Sequence, residues 1–442
     1  MSMLNCVYLC LHCLTKSFIC ARSPVEHHDN VMGSALDSLR LLLRQDDSAT
    51  KLVFTRSAVS ALVNCAEILP PLGCSSAHSY PALPALKCLV NIFFHGQEAL
   101  LLESSTAEAV IAVLRGPGRC QAHAVAAFLA FQLAGSSSKG FSLLISAAGG
   151  TVSSLLNLVV PLLGWSVRSE ISAGISEGSK PRRDLSSSLL KLLPLIRSRE
   201  SAFGSATSEG GSLCLASAAS MEKLAALFAE ILVCPHSSDI SAYALPDLRP
   251  LVVRSMAFAA DPTEGGGNEV RLLADCLEEY GALKALVNLL QEALGLKCAS
   301  SPSNLKADVV PLLMVITKLS SSSTTARAVL KSAVFPPETD VACASRITEV
   351  ASILPGGQNA AGGVQKQHDY LMHPADAPPG TLRAAVIALI RSYDSNLKRC
   401  SSEMLLELCA QDMAEFTSRV GYGNAVYMMH VRGGIKLAEM SN

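Results

Sequence analysis

Three short strings in this chain carry residue types that can do chemistry. Gly174-Ile-Ser-Glu-Gly178 has the Gly-x-Ser-x-Gly spacing of a nucleophile elbow. That chemistry needs a strand leading in and a helix leading out, so that the hydroxyl is held exposed and strained. Here helical sequence precedes the string and Ser/Gly-rich sequence surrounds it, so Ser176 reads as part of a loop. Cys10-x-x-Cys13, with His12 between and His27-His28 beyond, offers thiolates and imidazoles to zinc. No second Cys or His pair follows at finger-like spacing, so no metal is expected and the first thirty residues read as a poorly defined segment. Gly135-Ser-Ser-Ser-Lys139 resembles a phosphate loop only superficially, because the Gly-x-x-x-x-Gly-Lys-[Ser/Thr] string is missing. The chain therefore reads as a non-enzyme without cofactor, acting on a partner that carries any reacting group.

Two pairs of cations are more informative. Arg40 and Arg44 sit four apart in Leu39-Arg-Leu-Leu-Leu-Arg44, and Arg327 and Lys331 sit four apart in Ala326-Arg-Ala-Val-Leu-Lys331. A spacing of four places both charges of a pair on one helix face. Neither pair has a carboxylate four residues away to neutralise it, so each is expected to leave a positive face. That face is either plain solvated surface or a cationic wall that grips an acidic or carboxylate-terminated helix. Spacing alone does not choose between them.

The elements that position these residues follow from composition. The chain has 442 residues, of which 50% are hydrophobic, 5% aromatic and 17% charged. Leu and Ala dominate, and the β-branched and aromatic runs that mark strands are sparse. An all-α protein follows. Leu36, Leu39, Leu42 and Leu43 fall on one helix face, as do Leu83, Leu86, Leu89, Val90 and Phe93, and Leu283, Leu286, Leu289 and Leu290. The septet Ala-Leu-Lys-x-Leu-Val-Asn occurs twice, ending at Asn91 and at Asn288. Helix pairs of this kind cannot cover their apolar faces alone, and stacking them into an armadillo- or HEAT-like solenoid does. The pattern runs from about residue 31 to 442 as one continuous array. Ser/Gly/Pro-rich loops interrupt it at about 174–188, 203–219, 261–268 and 299–304, and a larger insertion lies at about 338–380.

A net charge of −1 gives no electrostatic reason to expect nucleic acid. The 15 cysteines are scattered through apolar helical stretches, which fits a reducing compartment and cysteine used as a small core residue. No run of transmembrane length is free of Pro, Gly or charge, and no secretory signal is expected.

Four segments resemble the synembryn family. They are Leu36-Asp-Ser-Leu-Arg-Leu-Leu-Leu-Arg44, then Ala85-Leu-Lys-Cys-Leu-Val-Asn-Ile-Phe-Phe-His-Gly96, then Val309 to Pro337, and last Asn396 to Ala425 with its Gly421-Tyr-Gly-Asn424 turn. The resemblance implies an armadillo/HEAT-like right-handed superhelix. It implies a monomeric cytoplasmic protein, recruited to the cell cortex or plasma membrane, where membrane contact comes only through the G protein. The implied partner is the α subunit of a heterotrimeric G protein (Gα), GDP-bound or nucleotide-free. The implied action is that of a non-receptor guanine-nucleotide exchange factor and folding chaperone. In that mechanism a concave surface draws the C-terminal helix of Gα from its sheet, and GDP leaves.

By motif match the implied Gα-binding residues are Arg40, Arg44, Asn91, Arg327 and Lys331. The cations would meet carboxylates of the Gα tail and Asn91 its backbone, with Lys87 and His95 as flanking residues only. The Gly-Tyr-Gly-Asn turn reads as structural, with Gly supplying unusual backbone angles and Asn capping the next helix. Family members continue into an acidic, phosphorylatable stretch and a further helix. With the sequence ending at Asn442, tail capture is expected here with weaker exchange. Two other readings compete: a helical-repeat adaptor that binds extended peptides, and a hydrolase built on Ser176.

Overall fold

Leu- and Ala-rich stretches with polar residues every third or fourth position can only bury their apolar faces against other helices. In the computed structural model of this chain every regular element among the described residues is a helix. The described residues are 26–45, 55–67, 81–103, 105–116, 120–173, 180–204, 218–234, 247–259, 267–296, 305–336, 377 and 379–431. Cys10-x-x-Cys13, Ser176 and most of the 338–380 insertion lie outside them. The helices group into two compact units, Met1–Leu224 with His236–Leu251, and Ala225–Pro235 with Val252–Asn442.

Unit 1 begins with α1 (Glu26–Gln45), a few residues earlier than the sequence pattern suggested. Then come α2 (Arg56–Ala66), α3 (Ala82–Phe94), the short α4 (Glu98–Leu102), α5 (Thr106–Arg115), α6 (Cys120–Ser136), α7 (Ser138–Ala148), α8 (Val152–Ala173) and α9 (Lys180–Gly204). Packing follows a repeating rule. α1 lies on α3, α3 on α6 and α6 on α9, while α2, α5, α7 and α8 cover the outside of that row. This is the armadillo-like pattern in which each repeat buries the apolar face of its neighbour. α6 buries Ala126, Ala127, Leu129, Ala130 and Leu133 on more than one face, because α3, α5, α7 and α9 all pack against it. Gly140 opens α7 where a Cβ would stand 2.2 Å from the Leu133 carbonyl, so no larger residue fits. The expected break at 174–188 closes early, at Lys180. Pro181 is tolerated there because first-turn N–H groups have no helical partner.

α10 (Ala218–Val233) and α11 (Arg249–Ala259) each contribute residues to both units. Unit 2 continues with α12 (Gly267–Glu279), α13 (Ala282–Ala293), α14 (Leu305–Ser322), α15 (Thr324–Val334), α16 (Leu382–Ile390), α17 (Ser395–Leu408), α18 (Met413–Val420) and α19 (Tyr422–Val431). α14 is its centre, packed by α12, α13, α15 and α17. Short polar residues start the helices as expected of N-caps. Ser323, Thr381, Asp394 and Asp412 each accept a hydrogen bond from a first-turn N–H.

The predicted core faces hold with one shift. Leu36, Leu39 and Leu43 are buried, as are Leu283, Leu286, Leu289 and Leu290. On α3 the buried stripe is Ala85, Leu86, Cys88, Leu89 and Ile92, while Leu83, Val90 and Phe93 are only half-buried. The stripe is rotated because two neighbours, α1 and α6, share that helix. Among the described cysteines, Cys65, Cys88, Cys276, Cys400 and Cys409 are buried free thiols. Burial pushes Cys65, Cys88 and Cys409 up to about 12, which keeps them un-ionised packing groups.

Candidate functional site

The first cationic pair is set by the α1–α3 contact. Cys88 and Asn91 of α3, and His95 just past its end, reach carbonyls of α1 at matching spacing. Cys88 Sγ donates to the Leu36 oxygen at 3.5 Å, Asn91 Nδ2 donates to the Arg40 oxygen at 3.2 Å, and His95 Nε2 lies 2.8 Å from the Leu43 oxygen. Both sets of numbers rise together, so the two helices run in the same direction and are fixed in register. Leu43 lies in the last turn of α1, where carbonyls have no helical donor, and His95 fills that need. Asn91, expected to face a partner's backbone, spends one of its N–H groups on its own chain.

This clamp gathers three cations. Arg40 Nε pairs with Asp37 Oδ1 at 3.0 Å and its side chain is 20% exposed. The pairing corrects the expectation of an unneutralised face, since a carboxylate three residues away reaches the guanidinium as well as one four away does. Arg44 is exposed and has no ion-pair partner among the described residues. Lys87 was expected only to flank the site. Burial, and then the positive Arg40 beside it, hold its ammonium below the ordinary lysine range, with Arg44 adding to the effect against Asp37. Three cations thus face one carboxylate.

The second pair ends differently. Arg327 Nε donates to the Ser320 oxygen at 2.9 Å, and its Nη2 reaches Glu407 Oε1 at 3.1 Å. Lys331 Nζ lies 2.7 Å from Glu415 Oε1. The positive face expected on α15 is therefore met by carboxylates of α17 and α18, which helix-internal spacing cannot reveal. Glu415 also accepts from Arg419 Nε at 2.8 Å. Burial raises its carboxyl, but the hydrogen bonds from Lys331 and Arg419 outweigh this and hold it below the usual carboxylate range. Glu407 is buried and also accepts from Gln411. Arg419 and Arg383 lie over the Phe335 ring at 4.7 and 5.6 Å, a cation–π contact from each. One signal for these partners was present in the sequence. Glu407 interrupts the apolar run Met404-Leu-Leu-Glu-Leu-Cys409, and a carboxylate inside a helix core needs a cation.

The Gly-Tyr-Gly-Asn turn is structural, but Asn424 works backward. α19 already begins at Tyr422, and Asn424 Nδ2 donates to the Val420 oxygen at 2.8 Å, closing the end of α18. Gly421 sits at φ +87°, where a side chain would strain the backbone.

These features define an all-α helical-repeat protein of armadillo-like stacking, with a cluster of basic side chains in each unit. A designed armadillo repeat protein is similar at 16% identity, covering 72% of this chain and 100% of its own, with a TM-score of 0.41. An engineered protein is similar at 14% identity, covering 99% and 94%, also with a TM-score of 0.41.

The particular likeness is to synembryn. Residues 378–433 match the family model described as "Guanine nucleotide exchange factor synembryn". Relatives include "Chaperone Ric-8A" of Pongo abelii, 24% identical over 184 residues, which are 42% of this chain and 27% of the relative. Chaperone Ric-8A of Bos taurus is 27% identical over 129 residues, 29% of this chain and 18% of the relative. That of Xenopus laevis is 36% identical over 53 residues, 12% and 10% respectively. The chain thus spans about a quarter or less of the length of these relatives. The family-matched block carries Glu407, Glu415, Arg383 and Arg419, the residues that hold Arg327, Lys331 and Phe335 in place.

Proposed function

We propose that this protein binds Gα subunits as a folding chaperone and non-receptor guanine-nucleotide exchange factor. The observation that carries the reading is the match of residues 378–433 to the synembryn family model. It is supported by the cationic cluster of Lys87, Arg40 and Arg44 on two clamped helices. In this reading the cluster receives the C-terminal helix of Gα. Carboxylates of that tail neutralise the surplus charge, and withdrawal of the helix from its sheet loosens the GDP pocket. Arg327 and Lys331 act mainly by shaping unit 2, since their charges are already committed to Glu407 and Glu415. The protein supplies no reacting group of its own, works in the cytoplasm as a monomer, and holds nucleotide-free Gα until GTP binds.

The test is binding of fluorescent Gα C-terminal peptides, with GDP release from whole Gα measured alongside. Arg44→Glu is the variant of choice because Arg44 is exposed and carries no described ion pair. Binding is expected to weaken at least tenfold, on the scale of a lost charge-assisted contact, with unchanged helicity. Failure to bind any Gα peptide, or full GDP retention with a complex formed, leaves a helical-repeat adaptor as the function.

A further inference from the structure

We propose that Lys87 is a modification site: its amine takes an acyl group from an anionic donor, an acyl phosphate or an acyl-coenzyme A thioester, and loses its charge within the cationic cluster. Lys87 lies on α3, next to Cys88 and four residues before Asn91, and that spacing sets Lys87 and Asn91 on one helix face. Cys88 and Asn91 are bonded to the Leu36 and Arg40 carbonyls, so the clamp holds this part of α3 against the Leu36–Arg40 turn of α1. There the Lys87 side chain is half-buried, with no hydrogen bond and no ion pair among the described residues. Lys318 and Lys331 are half-buried as well, but the Ala257 oxygen and Glu415 engage them. Lys139, Lys191 and Lys223 are exposed.

An ammonium stays charged through water or an anionic partner. Partial burial removes much of the first, and the nearby carboxylate, Asp37, is already paired with Arg40. A desolvated amine beside other cations is the nucleophilic kind of lysine, and the direction of its shift agrees. Arg44 supplies the second requirement. It is exposed, has no ion pair among the described residues, and its charge is felt at Lys87. A donor that carries phosphate is therefore held near the amine by a guanidinium, and a neutral donor is not. In the transfer the amine lone pair attacks the acyl carbon and an N–C bond forms. The bond from that carbon to the phosphate oxygen or to sulfur breaks, phosphate or thiolate leaves with the electron pair, and the amine's surplus proton passes to water. The product is a neutral amide beside Arg40 and Arg44. The site does not rest on the Gα reading; its consequence, weaker attraction for an acidic Gα tail, does.

The experiment incubates the full chain with acetyl phosphate or, in a separate arm, with acetyl-coenzyme A, and follows acetyl-lysine by peptide mass spectrometry. Lys87 is expected to react about threefold faster than Lys139, Lys191 and Lys223, as a desolvated amine beside cations does. The arm with the larger lead identifies the donor. Arg44→Gln is expected to remove most of that lead with unchanged circular dichroism, and unfolding in guanidinium chloride to remove all of it. Acetylated chain is expected to bind a fluorescent Gα C-terminal peptide about fivefold more weakly, the scale of one partly exposed charged contact. Lys87→Arg keeps the charge and takes no acyl group, so the same treatment should leave its peptide binding unchanged. Equal rates at all four lysines in both arms, or a lead that survives unfolding, overturn the site. Preferential labelling of Lys87 with unchanged peptide binding upholds the site and overturns its regulatory effect. If the untreated chain binds no Gα peptide, the Gα reading fails, and the labelling rates still decide the site.

Discussion

The basic clusters of the two units start from the same spacing of four on a helix and finish in opposite states. In unit 1, Asp37 is the one described carboxylate set against Arg40, Arg44 and Lys87, and burial first, then the neighbouring Arg40, holds the Lys87 ammonium below its ordinary range. In unit 2, Arg327 and Lys331 each reach a carboxylate of another helix, Glu407 and Glu415, with Glu415 shared by Arg419, while Phe335 accepts the faces of Arg383 and Arg419. The difference is that exposed Arg44 has no ion pair among the described residues, whereas Arg327 and Lys331 are both committed to carboxylates of neighbouring helices. On the proposed function the first pair meets the partner and the second shapes its own unit, although the sequence treats the two pairs alike.

The largest expected effect separates them by stability. Glu407→Ala leaves Arg327 beside the core without its anion, and breaking such a pair by removing one partner costs about 3 kcal/mol. Arg44→Ala, at an exposed position, stays within about 0.5 kcal/mol of the parent. Urea unfolding of both variants checks the contrast. The double variant Arg327→Met with Glu407→Leu should recover most of the loss, since a desolvated pair can be replaced by packed apolar groups. Equal costs for Glu407→Ala and Arg44→Ala would erase the distinction between the clusters.

A smaller effect sharpens the comparison within one motif. The septet Ala-Leu-Lys-x-Leu-Val-Asn forms α3 in unit 1 and α13 in unit 2, but Asn91 is half-buried and holds the Arg40 carbonyl, whereas Asn288 is exposed. Asn91→Leu is expected to cost about 1 kcal/mol, the usual net worth of one hydrogen bond, as read from thermal melts.

This pair also marks how far the sequence could be read. Periodicity exposed the helices, the stacked repeats and the core leucines, because those depend on neighbours three and four residues away. It also found the four cations. It did not find what they touch, since Glu407 lies 80 residues from Arg327 and Glu415 lies 84 from Lys331. Asp37, three residues from Arg40, is the one partner that helix-internal spacing reveals. Asn91 and His95 were legible as polar residues on an apolar helix, but their target, a row of α1 carbonyls, has no side-chain signature. Lys87 became visible only when α1 was laid against α3.

The smallest effects have opposite signs and test the comparison most directly. Glu415 has a folded pKa below its unfolded value, near 4.3 for a free glutamate. Its contribution is full above that unfolded value and is lost as pH falls through the lower folded one. Glu415→Gln should therefore flatten the acid limb of a stability-against-pH curve. Lys87 is also depressed, but for a lysine this means that the charged form is penalised in the folded state. The penalty is full at neutral pH and fades only as pH rises from the folded value toward the unfolded one, near 10.4. Lys87→Met should thus raise stability at neutral pH, and Lys331→Met should lower it, each by no more than about 1 kcal/mol. If unit 1 is the ligand surface, the stabilised Lys87→Met protein should also bind a Gα tail peptide more weakly. A residue that costs the fold and serves the partner moves the two measurements in opposite directions, whereas a plain surface lysine moves neither.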